Sequence, residues 1–317
     1  MITDPDRRVA FSCLGWVDHG SLWRFDAASQ RQSSIEMSDA DYLRVFTGNR
    51  DHFVVQHNWG ASRFRVSVHA WCVPDRPVCS VDVAGWVPTF KGGLSVWATL
   101  PAAFVGVLGD DATGAAGYFV LTIRDGAPQL SRLDWFGDDY DHGYQGVVSV
   151  VHIPQQSSLL FGVQRSSDLV LTDLDGGGLV RRVPLANRLG NPQPIPSNDG
   201  QSLWATDYDT VVRLDIASWQ VVAHRMLQSA AAGTRMFVGD PWLSPDESLL
   251  LVGRPDSGDV AVIDPQTLSV RAEVQLGHEP LVAVGLAGPQ ILARDWKTGI
   301  PLLGDLPKKR RWTLRPR

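Results

Sequence analysis

Four histidines, His19, His57, His142 and His278, sit in short polar stretches between apolar runs. An imidazole in such a place could act as acid, base or metal ligand near neutral pH. The densest cluster is Asp138-Asp139-Tyr140-Asp141-His142, where Asp139 and Asp141 have the alternate spacing of a calcium loop and His142 adds a nitrogen donor. The run lacks the third acidic ligand and the glycine of an EF-hand, so a solvated acidic loop is the competing reading. No cofactor is required on this basis, and a divalent cation is the one group the cluster could suit. Arg165, Arg254 and Arg294 each follow a short apolar run. Their guanidinium forks would fit a carboxylate or phosphate, with salt bridges to the nearby Asp168, Asp256 and Asp295 as the plainer alternative. No CxxC, HExxH, P-loop or GxSxG pattern occurs.

These residues are far apart in the chain, so only the elements between them could bring them together. The clearest elements lie in 244–280, SPDESLLLVGRPDSGDVAVIDPQTLSVRAEVQLGHEP. It holds three apolar runs too brief for helices and rich in Val, Leu and Ile, separated by Pro255-Asp256-Ser257-Gly258 and Pro265-Gln266-Thr267. Short β-branched runs between turn formers predict an antiparallel meander. The stretch resembles the YVTN-type repeat of β-propellers, which runs Ser-Pro-Asp, strand, polar turn, Val-x-Val-Ile-Asp, Thr, strand, Gly-x-x-Pro. Glu247 stands where that repeat usually carries Gly.

Asp264 closes a strand in this stretch, and similar junctions recur at Asp26, Asp75, Asp125, Asp175, Asp215 and Asp305. Successive spacings are 49, 50, 50, 40, 49 and 41 residues, close to the repeat length of four-stranded propeller blades. A carboxylate suits the junction because it accepts hydrogen bonds from turn amides one to three residues on. Ser29, Ser218 and Thr267 each follow their Asp by three. The expected fold is therefore all-β, a single seven-bladed β-propeller of four-stranded antiparallel blades over 1–317. Blades fall at 8–37, 42–84, 94–135, 146–186, 191–228, 236–276 and 281–316. Blade 1 then begins at its second strand, because residues 1–8 make a poor inner strand. The basic segment 307–317, PKKRRWTLRPR, would serve as the last strand of blade 7 or as the missing strand of blade 1. Trp23, Trp97, Trp204 and Trp219 read as wedge-filling core.

In propellers the loops from second to third strand, and from fourth strand to the next blade, share one face. The resemblance therefore implies that His19, His57, His142 and His278 lie on one face with the three arginines. His52 falls in a turn on the opposite face, and His69, His152 and His224 read as structural. Two functions follow as expectations. One is a non-catalytic propeller that binds a protein or peptide partner through His19, Trp59, Asp139, Asp141, Arg165, Asp207, Arg254, Arg294 and Trp296, since interfaces favour Trp, Tyr and Arg. The alternative is a lactonase- or lyase-like enzyme using His142, His278 or His57, with a divalent cation at Asp139, Asp141 and His142.

The net charge of −5 argues against nucleic acid as partner, and no apolar run is long enough to span a bilayer. Three cysteines cannot form a fully paired framework, so the reading is a cytoplasmic monomer with Cys72 and Cys79 as buried thiols rather than a disulfide.

Overall fold

The computed structural model describes residues 2–3, 9–12, 20–40, 42–47, 52–59, 63–84, 97–99, 103–109, 116–124, 127–133, 147–156, 158–163, 168–173, 179–185, 193–227, 238–239, 241–277, 280–287, 290–295 and 301–306. Their regular structure is all strand apart from two single 3-10 turns. Sheet 1 is β1 (Ile2–Thr3), β2 (Val9–Ser12), β3 (Ser21–Asp26) and β4 (Arg31–Glu36). Sheet 2 is β5 (Tyr42–Thr47), β6 (His52–Trp59), β7 (Arg63–Ala70) and β8 (Val73–Ala84). Sheet 3 is β9 (Trp97–Thr99), β10 (Ala103–Gly109), β11 (Ala116–Arg124) and β12 (Ala127–Leu133). Sheet 4 is β13 (Val147–Ile153), β14 (Ser158–Val163), β15 (Asp168–Asp173) and β16 (Leu179–Pro184). Sheet 5 is β17 (Gln193–Pro196), β18 (Ser202–Asp207), β19 (Thr210–Asp215) and β20 (Gln220–Met226). Sheet 6 is β21 (Pro241–Leu243), β22 (Leu250–Arg254), β23 (Asp259–Ile263) and β24 (Val270–Gln275). Sheet 7 shows β25 (Pro280–Ala287), β26 (Gln290–Asp295) and β27 (Pro301–Asp305).

Each sheet is an antiparallel meander in chain order, and the first strand of each touches the first strand of the next. β25 in turn touches β1. The core lies in the seams between sheets rather than on one common face. Phe11, Leu22, Leu43, Phe53 and Val55 fill the seam of sheets 1 and 2, while Leu160, Leu171, Leu203 and Leu214 belong to that of sheets 4 and 5. Strands packed on both faces must be apolar throughout, which is why β22 and β23 are buried at every position. Outer strands are correspondingly exposed, as β4 and β20 show. Trp23, Trp204 and Trp219 are all buried, and Trp204 Nε1 crosses to the carbonyl of Pro265 at 2.7 Å, joining sheets 5 and 6.

The turn from third to fourth strand repeats the same chemistry in three sheets. Ser29 N–H and Oγ donate to Asp26 Oδ1 at 2.8 Å each, and Ser218 N–H and Oγ donate to Asp215 Oδ1 at 2.7 and 2.6 Å. Thr267 and Gln266 amides donate to Asp264 Oδ1 at 2.9 and 2.8 Å. Four residues after each aspartate the backbone turns left-handed, with φ of 55° at Gln30, 56° at Trp219 and 54° at Leu268.

Several expectations change. Ile2–Thr3 pairs with Phe11 and Ala10 and supplies the inner strand of sheet 1, so residues before 8 do contribute and that place needs no other segment. In sheet 2 the hairpin turns at Trp71-Cys72, and Pro74–Arg76 bulge out of β8 between residues opposite Ala70 and His69. Asp75 therefore does not end the third strand. Asp125 and Asp175 lie outside the described residues. Cys72 and Cys79 are free thiols but not buried: Cys72 is exposed at the turn and Cys79 half-buried. His52 opens β6 rather than sitting in a turn. No helix among the described residues is long and apolar enough to cross a membrane.

Candidate functional site

The candidate face is where second strands turn into third. Seven of the nominated residues, His19, Asp139, Asp141, His142, Arg165, His278 and Trp296, lie outside the described residues. Others that were expected in loops belong to the ladders themselves. Trp59 ends β6 opposite Arg63, Asp207 ends β18 opposite Thr210, and Arg254 ends β22 opposite Asp259. Arg294 stands in β26 opposite Pro301. All four occupy the same topological position, the C-terminal end of a second strand.

Arg254 and His57 are the two whose side chains can be followed in full. Arg254 is buried, and its Nε and Nη2 each donate to Asp259 at 2.5 Å, a bidentate pair across the first rung of the hairpin. Nη2 also reaches Glu273 at 2.6 Å, and Gln275 Nε2 donates to the second Asp259 oxygen at 3.2 Å. Burial works against the guanidinium charge, but the hydrogen bonds and charges of Asp259 and Glu273 outweigh it and hold its pKa above the usual arginine value. The partner is thus Asp259 across the strand pair, not Asp256, which sits in the intervening turn. Sequence pointed to the correct class of interaction but missed Asp259 and Glu273. A four-residue turn between Arg254 and Asp259 makes them the natural cross-strand pair, and that was the available signal.

His57 was expected in a loop with access to solvent. It lies in β6 on the same face as Phe53 and Val55, and is 3% exposed. Its Nδ1 is 2.8 Å from Ser38 Oγ and its Nε2 is 2.7 Å from Ser67 Oγ, which is also 2.7 Å from His69 Nε2. We assign the protons by following the chain. Ser38 O–H donates to His57 Nδ1 and His57 Nε2–H to Ser67, whose one proton goes chiefly to His69 Nε2 at 2.7 Å, with the Val55 carbonyl at 3.4 Å as its second acceptor. His69 then carries its proton on Nδ1, facing the Pro74 carbonyl in a contact too poor to be a full hydrogen bond. Burial, followed by the charges of His69 and Arg65, pushes His57 down to about 4. Burial likewise pushes His69 down to about 4, against the Pro74 carbonyl, which favours its protonated ring. The ring of His69 stacks on Phe53 with centroids 5.3 Å apart. Both imidazoles are neutral at physiological pH, and a base this weak and this enclosed is poorly matched to proton abstraction at pH 7. Period-two alternation from Phe53 was the sign that His57 faces the core.

Next to this chain, on the same face of the sheet, Arg65 stands opposite His57 and forms a bidentate pair with Asp82 at 2.7 and 3.1 Å. In sheet 5 the same rim holds Asp209, buried, with Thr210 Oγ1 donating to it at 2.9 Å. Among the described residues no group of three or more His, Cys, Asp or Glu is placed to hold a metal ion.

No protein-family model matches the chain, and no curated protein does. Solved structures do. The β-propeller domain of Cps50 (Swd1) from Myceliophteria thermophila superposes with a TM-score of 0.69 at 11% identity, covering 96% of this chain and 94% of that one. The periplasmic gluconolactonase PpgL of Pseudomonas aeruginosa gives 0.62 at 16% identity, over 92% and 94%. A protein assigned as a 6-phosphogluconolactonase from Bacteroides uniformis gives 0.65 at 14% identity, over 93% and 90%. The chain has the β-propeller fold. At such identities the likeness carries the fold alone.

Proposed function

We propose that the chain is one closed seven-bladed propeller of four-stranded blades, acting as a non-catalytic module that holds a protein or peptide partner on the face where second strands turn into third. The ring is supported by the unbroken series of first-strand contacts that returns from β25 to β1. The binding role rests on one observation: both nominated side chains that can be followed are consumed by the fold itself, Arg254 by Asp259 and Glu273, His57 by Ser38 and Ser67. Groups locked into internal hydrogen bonds are framework, and a framework of this kind presents the variable loops between its strands to a partner. Trp59, Asp207, Arg294 and Trp296 are the contact residues in this reading.

The competing reading, a lactonase-like enzyme built on His142 and His278 with a divalent cation, draws support from two structural neighbours that bear lactonase names. Purified protein should be assayed on glucono-δ-lactone and 6-phosphogluconolactone with calcium, magnesium or zinc, and run in parallel as bait against extract of its native host. The binding role predicts no hydrolysis above the blank, and a stoichiometric partner lost on Trp59→Ala with Trp296→Ala. Metal-dependent hydrolysis that disappears in both His142→Ala and His278→Ala overturns it.

A further inference from the structure

The enclosed chain of sheet 2 ends where the backbone beside it is loosely held. The ladder between β7 and β8 slips on both sides of His69, whose partner is Pro77, and the bulge Pro74–Arg76 immediately precedes that proline. Neither Pro74 nor Pro77 has an N–H to give to β7. Pro74 is half-buried, and Asp75 and Arg76 are exposed. The approach of His69 Nδ1 to the Pro74 carbonyl is therefore a tie between β7 and the bulge, and with a neutral ring it falls short of a full hydrogen bond.

The two imidazoles differ in what an added proton would meet. On His69 it would sit on Nε2 and point at Ser67 Oγ, 2.7 Å away. That oxygen has two lone pairs, so it can accept from His69 as well as from His57 Nε2–H. Its own proton can then turn to the Val55 carbonyl at 3.4 Å, and each of these groups keeps a partner. On His57 the added proton would sit on Nδ1 and face Ser38 Oγ, whose hydroxyl proton would have to leave the ring and whose oxygen also accepts the Ala40 N–H at 3.3 Å.

The surroundings separate the rings in the same direction. His69 stacks on Phe53 with centroids 5.3 Å apart, and an aromatic face attracts a cation. The carboxylate of Asp75 favours a charged His69. Arg65, opposite His57, disfavours charge there, and its partner Asp82 offsets only part of that effect. Asp39 acts in turn on Arg65. Sheet 1 turns Arg24, Asp26 and Arg31 to the same seam, on the face that carries Phe11, and there Arg24 Nη2 lies 3.6 Å from Asp26. β5 turns Leu43 and Val45 to it, which carry no charge.

We infer that this chain is a one-proton switch: on acidification His69 takes the first proton on Nε2, the Ser67 hydroxyl turns from His69 to the Val55 carbonyl, and Nδ1–H closes on the Pro74 carbonyl to pin the bulge. The proton comes from solvent, and no covalent bond is broken. Acid thus tightens the rim at Pro74–Arg76, while His57 and Ser38 keep their neutral arrangement. The switch is independent of the role proposed for the loop-bearing face.

The test is a titration of the full chain, labelled with nitrogen-15 in histidine and carbon-13 at the proline carbonyls, from about pH 6.5 downward at low ionic strength. Ring spectra should show His69 Nε2 gaining its proton first, with the His57 Nδ1 signal still that of a bare nitrogen. The Pro74 carbonyl should shift with the same midpoint. Asp75→Asn and Asp75→Lys, at an exposed position, should lower that midpoint, the lysine variant further, and should move His57 less. A first proton on His57, unfolding before either ring charges, a Pro74 carbonyl indifferent to the His69 step, or a midpoint unmoved by both Asp75 variants each overturn the proposal.

Discussion

The backbone N–H of Asn198 donates to Oε1 of Glu247, while Asn198 Nδ2 reaches the carbonyl of Pro245 at 3.1 Å. The two residues occupy matching turns of adjacent sheets, Ser197-Asn198-Asp199-Gly200 and Ser244-Pro245-Asp246-Glu247. Ser197 and Ser244 Oγ donate to Asp199 and Asp246 at 2.5 and 2.6 Å in the same way. The fourth position is left-handed in both, φ 66° at Gly200 and 52° at Glu247. Gly is therefore the unstrained choice there, and Glu247 accepts a left-handed backbone in return for tying sheet 6 to sheet 5. Replacing it separates the two effects. Glu247→Ala keeps the strain and loses the bond, whereas Glu247→Gly loses both. In urea denaturation Glu247→Gly should be more stable than Glu247→Ala by about 1 kcal/mol, reversing the usual order of the two residues. Equal midpoints would show that the left-handed backbone costs nothing.

Gln30 offers the same strain without a compensating contact between sheets. It is exposed at the end of the Asp26 turn with φ 55°. Gln30→Gly should raise stability by about 1 kcal/mol, read from the denaturation midpoint at unchanged slope.

Arg254 and Asp259 are 3% and 2% exposed and bound to each other by two hydrogen bonds. Arg254→Ala strands a buried carboxylate and should cost roughly 3–5 kcal/mol. Arg254→Met with Asp259→Leu removes both charges and should recover most of that loss. Glu273→Ala should cost less than about 1 kcal/mol, because its side chain is 53% exposed. A double variant no better than Arg254→Ala would mean that the pair is required for something beyond its own charge balance.

His57 and His69 should make the seam of sheets 1 and 2 acid-sensitive. Both are held down to about 4 in the fold, against about 6.5 in an unfolded chain. Between those values the unfolded chain binds more protons, so stability rises with pH. The contribution is full above about 6.5, falls as the pH drops toward 4, and is on the order of 3 kcal/mol for one such histidine, the two titrating as a coupled pair. Nitrogen-15 spectra of the imidazoles should show both rings neutral at pH 5.5, with the proton on Nε2 of His57 and Nδ1 of His69. A charged ring at that pH would overturn the assignment, as would a folding midpoint flat between pH 6.5 and 4.5.

Much of the architecture was legible because turn chemistry is local. Asp26, Asp215 and Asp264, each with a hydroxyl residue three places on, specify a turn whatever the rest of the chain does, and they do cap one in the structure. Ile2–Thr3 escaped notice because two residues show no periodicity, and they become a strand only through pairing with Phe11 and Ala10. The Trp71-Cys72 turn was missed for a related reason. Pro74-Asp75-Arg76-Pro77 has the composition of a turn, but the ladder of β7 and β8 absorbs part of it as a bulge.

The candidate site was less legible, and its residues show why. His57 and Arg254 were chosen for type and for their position after an apolar run, and both of those are properties of the chain. Whether each faces solvent, core or a countercharge depends on strand register and on the sheet alongside. By itself the sequence determined an all-β chain of repeated meanders, because alternation, β-branching and turn residues act over a few positions. Tertiary structure alone decided that Arg254 is buried with Asp259 and takes Glu273 as a further partner, and that His57, Ser67 and His69 form one enclosed chain. Those contacts arise only where strands pair and neighbouring sheets exclude water, and there burial sets both the partner and the protonation state.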